Sequence, residues 1–167
     1  MRFERLDASK ALPFVTAEFD AIFSNDAICH IPDRSFELKE WHRVLKPAGR
    51  ILFTDAMIVS GIVSHEEIAI RSSIGFYLFF PPGGGNERSI GEAGFELLSA
   101  SDLTESTALI SRPWNDARDR HREDLLRIEG EANFNGLQRF LSCTHTLSSE
   151  RRLSRLSYLA RKNGATA

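Results

Sequence analysis

The spacing of hydrophobic residues differs along the chain. Some segments are continuous apolar runs, and in others an apolar residue recurs every three or four positions. Residues 19–23, FDAIF, form a compact apolar run that predicts a strand, and residues 50–55, RILFTD, predict a second one. Between them, apolar side chains recur every three or four residues: Leu38, Trp41, Val44, Leu45. This spacing predicts a helix that begins at an Asp33 N-cap and ends at the KPAG turn of residues 46–49. The order of elements predicts a βαβ unit with two parallel strands.

The middle of the chain carries cap and turn signals. Ser64 with Glu67 three residues later is a capping box, which predicts a helix start. The aromatic run in residues 76–80 favours a place in the core, with a lid over a site as the alternative. Residues 81–95, PPGGGNERSIGEAGF, predict a turn and then a short helix.

The rest of the chain contains segments whose apolar residues have helical spacing and other segments that are short apolar runs. One helix is predicted to start after Pro113 and to end at Gly130. Five residues recur on one face of it: Trp114, Ala117, His121, Leu125, Ile128. A second helix presents the next apolar face: Leu137, Phe140, Leu141, Thr144. Strands are predicted in residues 95–104 and 154–162, and residues 2–7, RFERLD, suit an edge strand.

Length, composition and charge narrow the class of protein. The 167 residues, 42% of them hydrophobic, suit one domain over residues 1–167. With 21 basic against 23 acidic residues, the net charge of -2 gives no global basic field, so we expect no nucleic-acid and no membrane partner. Two cysteines, Cys29 and Cys143, lie in apolar segments and predict buried thiols in a reducing compartment. We therefore expect a soluble, cytoplasmic protein, since the longest apolar stretch is too short to span a bilayer.

Polar residues follow three of the predicted strands, at Asp7, at residues 24–26 and at Asp55. Because α/β sheets bind ligands outside the carboxyl ends of parallel strands, this pattern predicts a ligand site. The histidines share no metal-ligand spacing, and one cysteine beside His145 is too little for zinc, so we predict no metal site.

Four segments together carry a family resemblance: RFERLDASKALPF (2–14), FDAIFSNDAICHIPDR (19–34), WHRVLKPAGRILFTD (41–55) and EAGFELLSASDLT (92–104). In order and spacing they resemble the rear part of the Rossmann-like S-adenosylmethionine-dependent methyltransferases. Residues 24–33 are most similar to the small-molecule N-methyltransferases that act on phosphoethanolamine, glycine or sarcosine. The resemblance implies a three-layer α/β fold, S-adenosylmethionine as cofactor and a small-molecule substrate.

The resemblance also implies cofactor-binding residues. Asp7 and Ala8 would flank the adenine, with the Asp7 carboxylate accepting a hydrogen bond from the adenine amine, and Leu12 would line the adenine slot. Ser24 and Asn25 would lie beside the methionine moiety and the sulfonium. A plainer role for Asp7 stays open, since an aspartate in this position also initiates a turn.

Asp26 and His30 match the positions that hold or deprotonate the substrate amine in the phosphoethanolamine enzymes. Methyl transfer needs a neutral nucleophile aligned with the methyl group, so positioning and a base that titrates near neutral pH are what a protein can contribute. The alternatives are structural: His30 satisfied by backbone groups, and Asp26 capping the next turn.

The family pattern breaks at the front of the chain. The family has a first strand with a glycine-rich turn and a second strand ending in an acidic residue, yet no glycine precedes Gly49. We therefore expect a Rossmann-like sheet lacking its first two strands, with an open edge at residues 19–23. Three arrangements would cover it: pairing with residues 2–7, a homodimer, which we favour, or a complementing chain.

Two functional hypotheses follow. The chain is either a small-molecule methyltransferase whose site is completed by a second chain, or a non-catalytic methyltransferase-like module that folds by self-association. A hydrolase or oxidoreductase is disfavoured, because the chain has no G-x-S-x-G elbow and no dinucleotide fingerprint. The triple glycine of residues 83–85 lacks the lysine that follows in a phosphate-binding loop, which favours a flexible turn.

Overall fold

A computed structural model describes residues 3–73 and 80–164. The strands are β1 (Phe19–Asn25), β2 (Leu45–Val59), β3 (Phe95–Asp102) and β4 (Leu153–Lys162). The helices are α1 (Arg34–Val44), α2 (His65–Arg71), α3 (Gly85–Glu92), α4 (Thr104–Arg120), α5 (Arg122–Glu129) and α6 (Glu131–Ser149). A 3-10 turn, Ile28–His30, lies between β1 and α1.

The sheet confirms the predicted βαβ unit. Its strand order is β1-β2-β4-β3, with β1 and β2 parallel and the other two pairs antiparallel. Helix α1 forms the crossover between the parallel strands, and its N-cap is Asp33, whose carboxylate accepts from the Phe36 amide at 2.9 Å. The α/β class predicted from the sequence is therefore correct.

Local signals also placed later elements correctly. The capping box at Ser64 and Glu67 starts α2, with both reciprocal hydrogen bonds formed. The short helix predicted in residues 81–95 is α3, and Gly94 follows it with a φ of 90°, a conformation that glycine adopts without steric cost.

Two predicted elements are wrong. Residues 3–7 form no strand and are exposed, because they lead into a turn closed by the Lys10 amide on the Asp7 carbonyl and have no sheet edge beside them. Residues 3–7 do not pair with β1. The first of the three arrangements expected to cover the open edge of this strand is therefore also wrong. Pro113 does not start a helix: it lies inside α4, and a new helix, α5, starts after His121. Of the aromatic run at residues 76–80, Phe80 packs against a second buried cluster that includes Met57 and Leu147, and residues 76–79 lie outside the described residues.

The main core lies on one face of the sheet, under α1 and α3. Its largest buried side chains include Leu38, Trp41, Ile51, Phe53 and Tyr158. The opposite face of β1 and β2 is different, since side chains alternate between faces along a strand. There Phe23 is 70% exposed and its register partner Leu52 is 39% exposed. An apolar stripe on the sheet thus has no covering layer among the described residues.

Glu37 makes the folded state sensitive to pH. Its side chain is 1% exposed and accepts a hydrogen bond from the Trp41 indole, and burial raises the pKa of its carboxyl to about 7. The folded state therefore keeps a proton that the unfolded state releases above its ordinary pKa of 4.5. Stability falls as pH rises between these two values and stays reduced above the upper one.

Glu37→Gln is expected to remove this pH dependence. Glutamine keeps an acceptor for Trp41 without the charge, so at pH 8 the variant should be more stable than the parent by about 2 to 3 kcal/mol. Urea denaturation from pH 4.5 to 8 measures the difference. The control is Glu92→Gln, which makes the same change at an exposed position on α3. Parallel pH curves for the parent and Glu37→Gln would contradict the assignment.

Candidate functional site

A cavity of about 380 Å³ lies at the carboxyl ends of β1 and β2, where α2, α4 and α6 meet. Its walls come from every one of these elements and from β4. The lining residues are Asn25, Asp26, Cys29, His30, Ala56, Met57, Arg71, Thr107, Ile110, Ser111, Trp114, Phe140, Leu141, Thr144 and Arg155. The cavity lies where the sequence predicted a ligand site, at the ends of the parallel strands.

The turn after β1 presents Asn25 and Asp26 to this cavity. Asp26 has a φ of 49°, in the left-handed region that aspartate tolerates better than most residues. Thr54 of β2 holds the turn: its hydroxyl donates to Asn25 Oδ1 at 2.9 Å and accepts from the Asp26 amide at 2.9 Å. The turn therefore fixes both side chains against the neighbouring parallel strand.

Arg155 of β4 holds the same two side chains from the other side. Its Nη2 lies 2.9 Å from Asp26 Oδ2 and donates to Asn25 Oδ1 at 3.0 Å, while its Nε donates to Asp26 Oδ1 at 3.2 Å. This two-point contact orients the carboxylate at the cavity wall. His30, exposed at the end of the 3-10 turn, lines the same cavity. The predicted pair Asp26 and His30 is thus brought to one site.

The predicted cofactor residues lie elsewhere, apart from Asn25. Asp7 is exposed, and its Oδ1 accepts from the Ser9 hydroxyl at 2.6 Å and from the Ser9 amide at 3.1 Å. These hydrogen bonds lower the pKa of Asp7. Ala8 and Ser24 are half-buried, and Leu12 packs on the main core. None of these four residues lines the cavity. Their roles toward a cofactor stay predictions.

Asp55 was predicted to end a strand, but it lies inside β2, which continues to Val59, and it is a structural group. It is fully buried and lies 2.6 Å from Arg34 Nη1 of α1, while Asn86 Nδ2 of α3 donates to it at 3.1 Å. Its other oxygen accepts from the Met57 amide at 3.0 Å. The carboxylate therefore ties β2 to two helices, and Asp55 is not among the residues that line the cavity.

Two arginines at the cavity were missed as site residues. Arg155 belongs to the arginine-rich segment of residues 151–162, for which a solvated face is the commoner outcome and contact with an acidic ligand the alternative, and Arg71 is a lone cation at the end of α2. The apolar residues around Arg71, in IAIRSSIG, were the available signal for its burial. Only the tertiary contacts of α2 and β4 bring both guanidinium groups to the end of β1.

Cysteine and metal chemistry find little support in the described part of the chain. Cys29 lines the cavity and is buried, and burial raises the pKa of its thiol to about 11, so the thiol is protonated at neutral pH. Cys143 is half-buried, and both cysteines are free. Residues 3–73 and 80–164 contain no group of three or more histidine, cysteine or acidic side chains arranged to hold a metal ion. The helices in these ranges are too short or too polar to cross a membrane.

The comparisons with known proteins confirm the class. A family model described as a methyltransferase domain matches residues 1–53. The 27-O-demethylrifamycin SV methyltransferase of Amycolatopsis mediterranei is 31% identical over 138 residues, which cover 79% of this chain and 49% of that protein. The chain spans less than half the length of this and the other curated relatives that it matches.

Two solved structures share the fold. A putative sarcosine dimethylglycine methyltransferase from Galdieria sulphuraria matches with a TM-score of 0.81 at 21% identity, over 94% of this chain and 57% of that one. Phosphoethanolamine N-methyltransferase 2 of Haemonchus contortus, in complex with phosphomonomethylethanolamine and S-adenosylhomocysteine, matches with a TM-score of 0.81 at 22% identity, over 94% and 36%. The chain therefore shares the Rossmann-like fold of a part of these methyltransferases. Structures of the Haemonchus enzyme contain S-adenosylhomocysteine or S-adenosylmethionine, the cofactor expected from the sequence.

Proposed function

We propose that this chain forms the acceptor-binding half of an S-adenosylmethionine-dependent methyltransferase that acts on a small molecule. The observation that supports this most is the cavity at the carboxyl ends of β1 and β2, which holds Asp26 and His30 together. Its volume of about 380 Å³ suits a small acceptor. The matched relatives include enzymes named for sarcosine, dimethylglycine and phosphoethanolamine.

This chain has residues for only one part of the expected cofactor site. Ser24 and Asn25 lie at the end of β1, where the sulfonium would be held, but no glycine-rich turn precedes Gly49. The open edge of β1 and the exposed stripe of Phe23 and Leu52 lie where further strands and helices would pack. We infer that a front segment, from a longer chain or a partner, covers this surface and completes the cofactor site.

The residues of this chain have separable tasks in that reaction. When bound, the cofactor supplies an electrophilic methyl group on sulfur. Asp26, oriented by Arg155, holds the acceptor amine in line with that methyl group. His30 accepts the proton that the amine releases as it becomes a nucleophile. Buried apolar wall residues, among them Leu141 and Met57, limit the access of water to the acceptor.

The test is methyl transfer by a combined protein, in which a front segment with the family's glycine-rich turn, taken from a methyltransferase of this fold, precedes this chain. Labelled S-adenosylmethionine is offered with sarcosine, dimethylglycine or phosphoethanolamine. We expect transfer to at least one acceptor by the combined protein and none by this chain alone. A well-folded combined protein that binds the cofactor but methylates no acceptor would contradict the proposal.

Self-association is the second candidate, and the open β1 edge is the observation that favours it. Two copies pairing their β1 strands about a two-fold axis would satisfy the exposed backbone groups without a front segment. A stable homodimer that persists in the combined protein would support this non-catalytic alternative.

A further inference from the structure

Arg71 is a buried cation in an otherwise mostly apolar cavity wall. It lies at the end of α2, is 4% exposed and lines the cavity described above. Burial lowers the pKa of its guanidinium to about 10, so the group is charged at neutral pH. A buried charge is costly unless an opposite charge or a full set of hydrogen bonds compensates it.

The contacts of Arg71 hold its guanidinium group in place but do not neutralise its positive charge. Its Nη1 donates to the Thr144 hydroxyl at 2.5 Å, and that hydroxyl donates in turn to the Phe140 carbonyl at 2.8 Å. The guanidinium also stacks over the Phe140 ring, 4.4 Å from its centroid. None of these groups is an anion. In residues 3–73 and 80–164 no carboxylate lies within ion-pair distance of Arg71.

The edge of the guanidinium formed by Nε and Nη2 lacks an oxygen acceptor. Nε is buried without a hydrogen-bond partner among the described residues, and Nη2 contacts the thioether sulfur of Met57 at 3.1 Å, a weak acceptor. This edge carries the two parallel N–H groups that bind a carboxylate or phosphate in the bidentate arrangement.

The charge balance of the cavity favours an anionic ligand. Its charged lining residues are Asp26, Arg71 and Arg155. Asp26 and Arg155 neutralise each other through their ion pair at 2.9 Å, which leaves the charge of Arg71 in excess. Among the described residues, the cavity thus offers an anion one cation that is not paired with a carboxylate, beside the mutually paired Asp26 and Arg155.

The position of Arg71 is fixed before a ligand arrives. Glu67 on the same helix pairs with Arg152 at 2.7 Å, and these hydrogen bonds lower the pKa of Glu67 to about 2. The Ser64 capping box fixes the start of the helix. The cation therefore belongs to an anchored element, which reduces the ordering cost of binding.

We propose that Arg71 is the anion-binding residue of the acceptor cavity and that the methyl acceptor carries a carboxylate or a phosphate group. The assignment of this anion to a methyl acceptor rests on the proposed function, whereas the anion site itself does not. Asp26 and His30 then lie at the end of the ligand that bears the amine. The cavity selects amines that also carry an anionic group over amines that lack one.

Binding to this chain without cofactor or front segment tests the site. Isothermal titration compares sarcosine with its neutral amide, and phosphoethanolamine with ethanolamine, so that the two pairs distinguish a carboxylate site from a phosphate site. We expect one anionic ligand to bind at least about tenfold more tightly than its partner without the anion, as is typical of a lost charge-assisted hydrogen bond. Arg71→Met should abolish that preference, and Arg71→Lys should retain part of it.

Stability separates a binding role from a structural one. Methionine has a similar length and suits the neighbouring Met57 and Phe140, so Arg71→Met should unfold at the same or a higher urea concentration than the parent. Equal binding of the anion by the parent and Arg71→Met, no anion binding by the parent, or a destabilised Arg71→Met variant would each overturn the proposal. Anion binding without methyl transfer in the combined protein would defeat the proposed function and leave this site intact.

Discussion

His30→Ala is expected to lower kcat/KM for methyl transfer by the combined protein about 100-fold or more. A positioned acid or base contributes about 10² to 10⁴-fold to a reaction of this kind, and His30 is the titratable imidazole at the cavity beside Asp26. The variant should keep its fold, because His30 is exposed and surface substitutions change stability little. The measurement is the initial rate of labelled methyl transfer over a range of acceptor concentrations.

The matched control is His65→Ala. His65 is also exposed, at the first position of α2, and does not line the cavity. We expect it to retain the parent rate. A His30→Ala protein as active as His65→Ala would assign His30 the structural role that the sequence left open, and the base in the reaction would then have to be another group.

Asp55→Ala is expected to destabilise the fold by about 3 to 5 kcal/mol, the range for removing one partner of a buried ion pair. The substitution takes the carboxylate away from Arg34, which is 5% exposed, and from the Asn86 amide and the Met57 amide at once. It also leaves a space in the main core between β2, α1 and α3. Urea denaturation at pH 7 gives the free energy of unfolding directly.

Asp20→Ala is the control for Asp55→Ala. Asp20 also pairs with a cation, Lys46 at 2.9 Å, but its side chain is 84% exposed. Exposed pairs of this kind contribute about 0 to 1 kcal/mol, so the control should unfold almost like the parent. A loss for Asp55→Ala no larger than for Asp20→Ala would show that the buried network is not a structural tie.

The elements that the sequence predicted correctly are those with strong local signals. Asp33 caps α1, Ser64 and Glu67 start α2, and the apolar run at residues 19–23 lies in β1. Each of these signals involves only a few neighbouring residues, so the element could be predicted without knowing its tertiary contacts. The parallel pairing of β1 with β2 followed from the short connections around α1.

The errors arose where tertiary contacts decide the structure. Pro113 has the local character of a helix start, but α4 begins at Thr104, because the loop after β3 ends there with the Asp102 carboxylate accepting from the Thr104 amide at 2.8 Å. Residues 3–7 have a strand-like pattern but no neighbouring strand, and a lone strand is not stable.

The candidate site could be predicted only in part, because local signals place some of its residues and tertiary contacts place the others. Asp26 and His30 follow β1 directly, so the strand end places them. Arg71 and Arg155 reach the cavity from segments distant in the sequence, and their chemistry depends on burial and pairing that no local pattern encodes. The role of Asp55 was misjudged because its partners, Arg34 and Asn86, come from two different helices.

The measurement that tests the central claim most directly is isothermal titration of S-adenosylmethionine into this chain alone and into the combined protein. The chain lacks a glycine-rich turn before Gly49 and leaves β1 uncovered among its described residues. We therefore expect no binding heat for the chain alone at millimolar ligand and micromolar binding by the combined protein. Micromolar binding by the chain alone would contradict it, because this chain's own residues would then suffice to hold the cofactor.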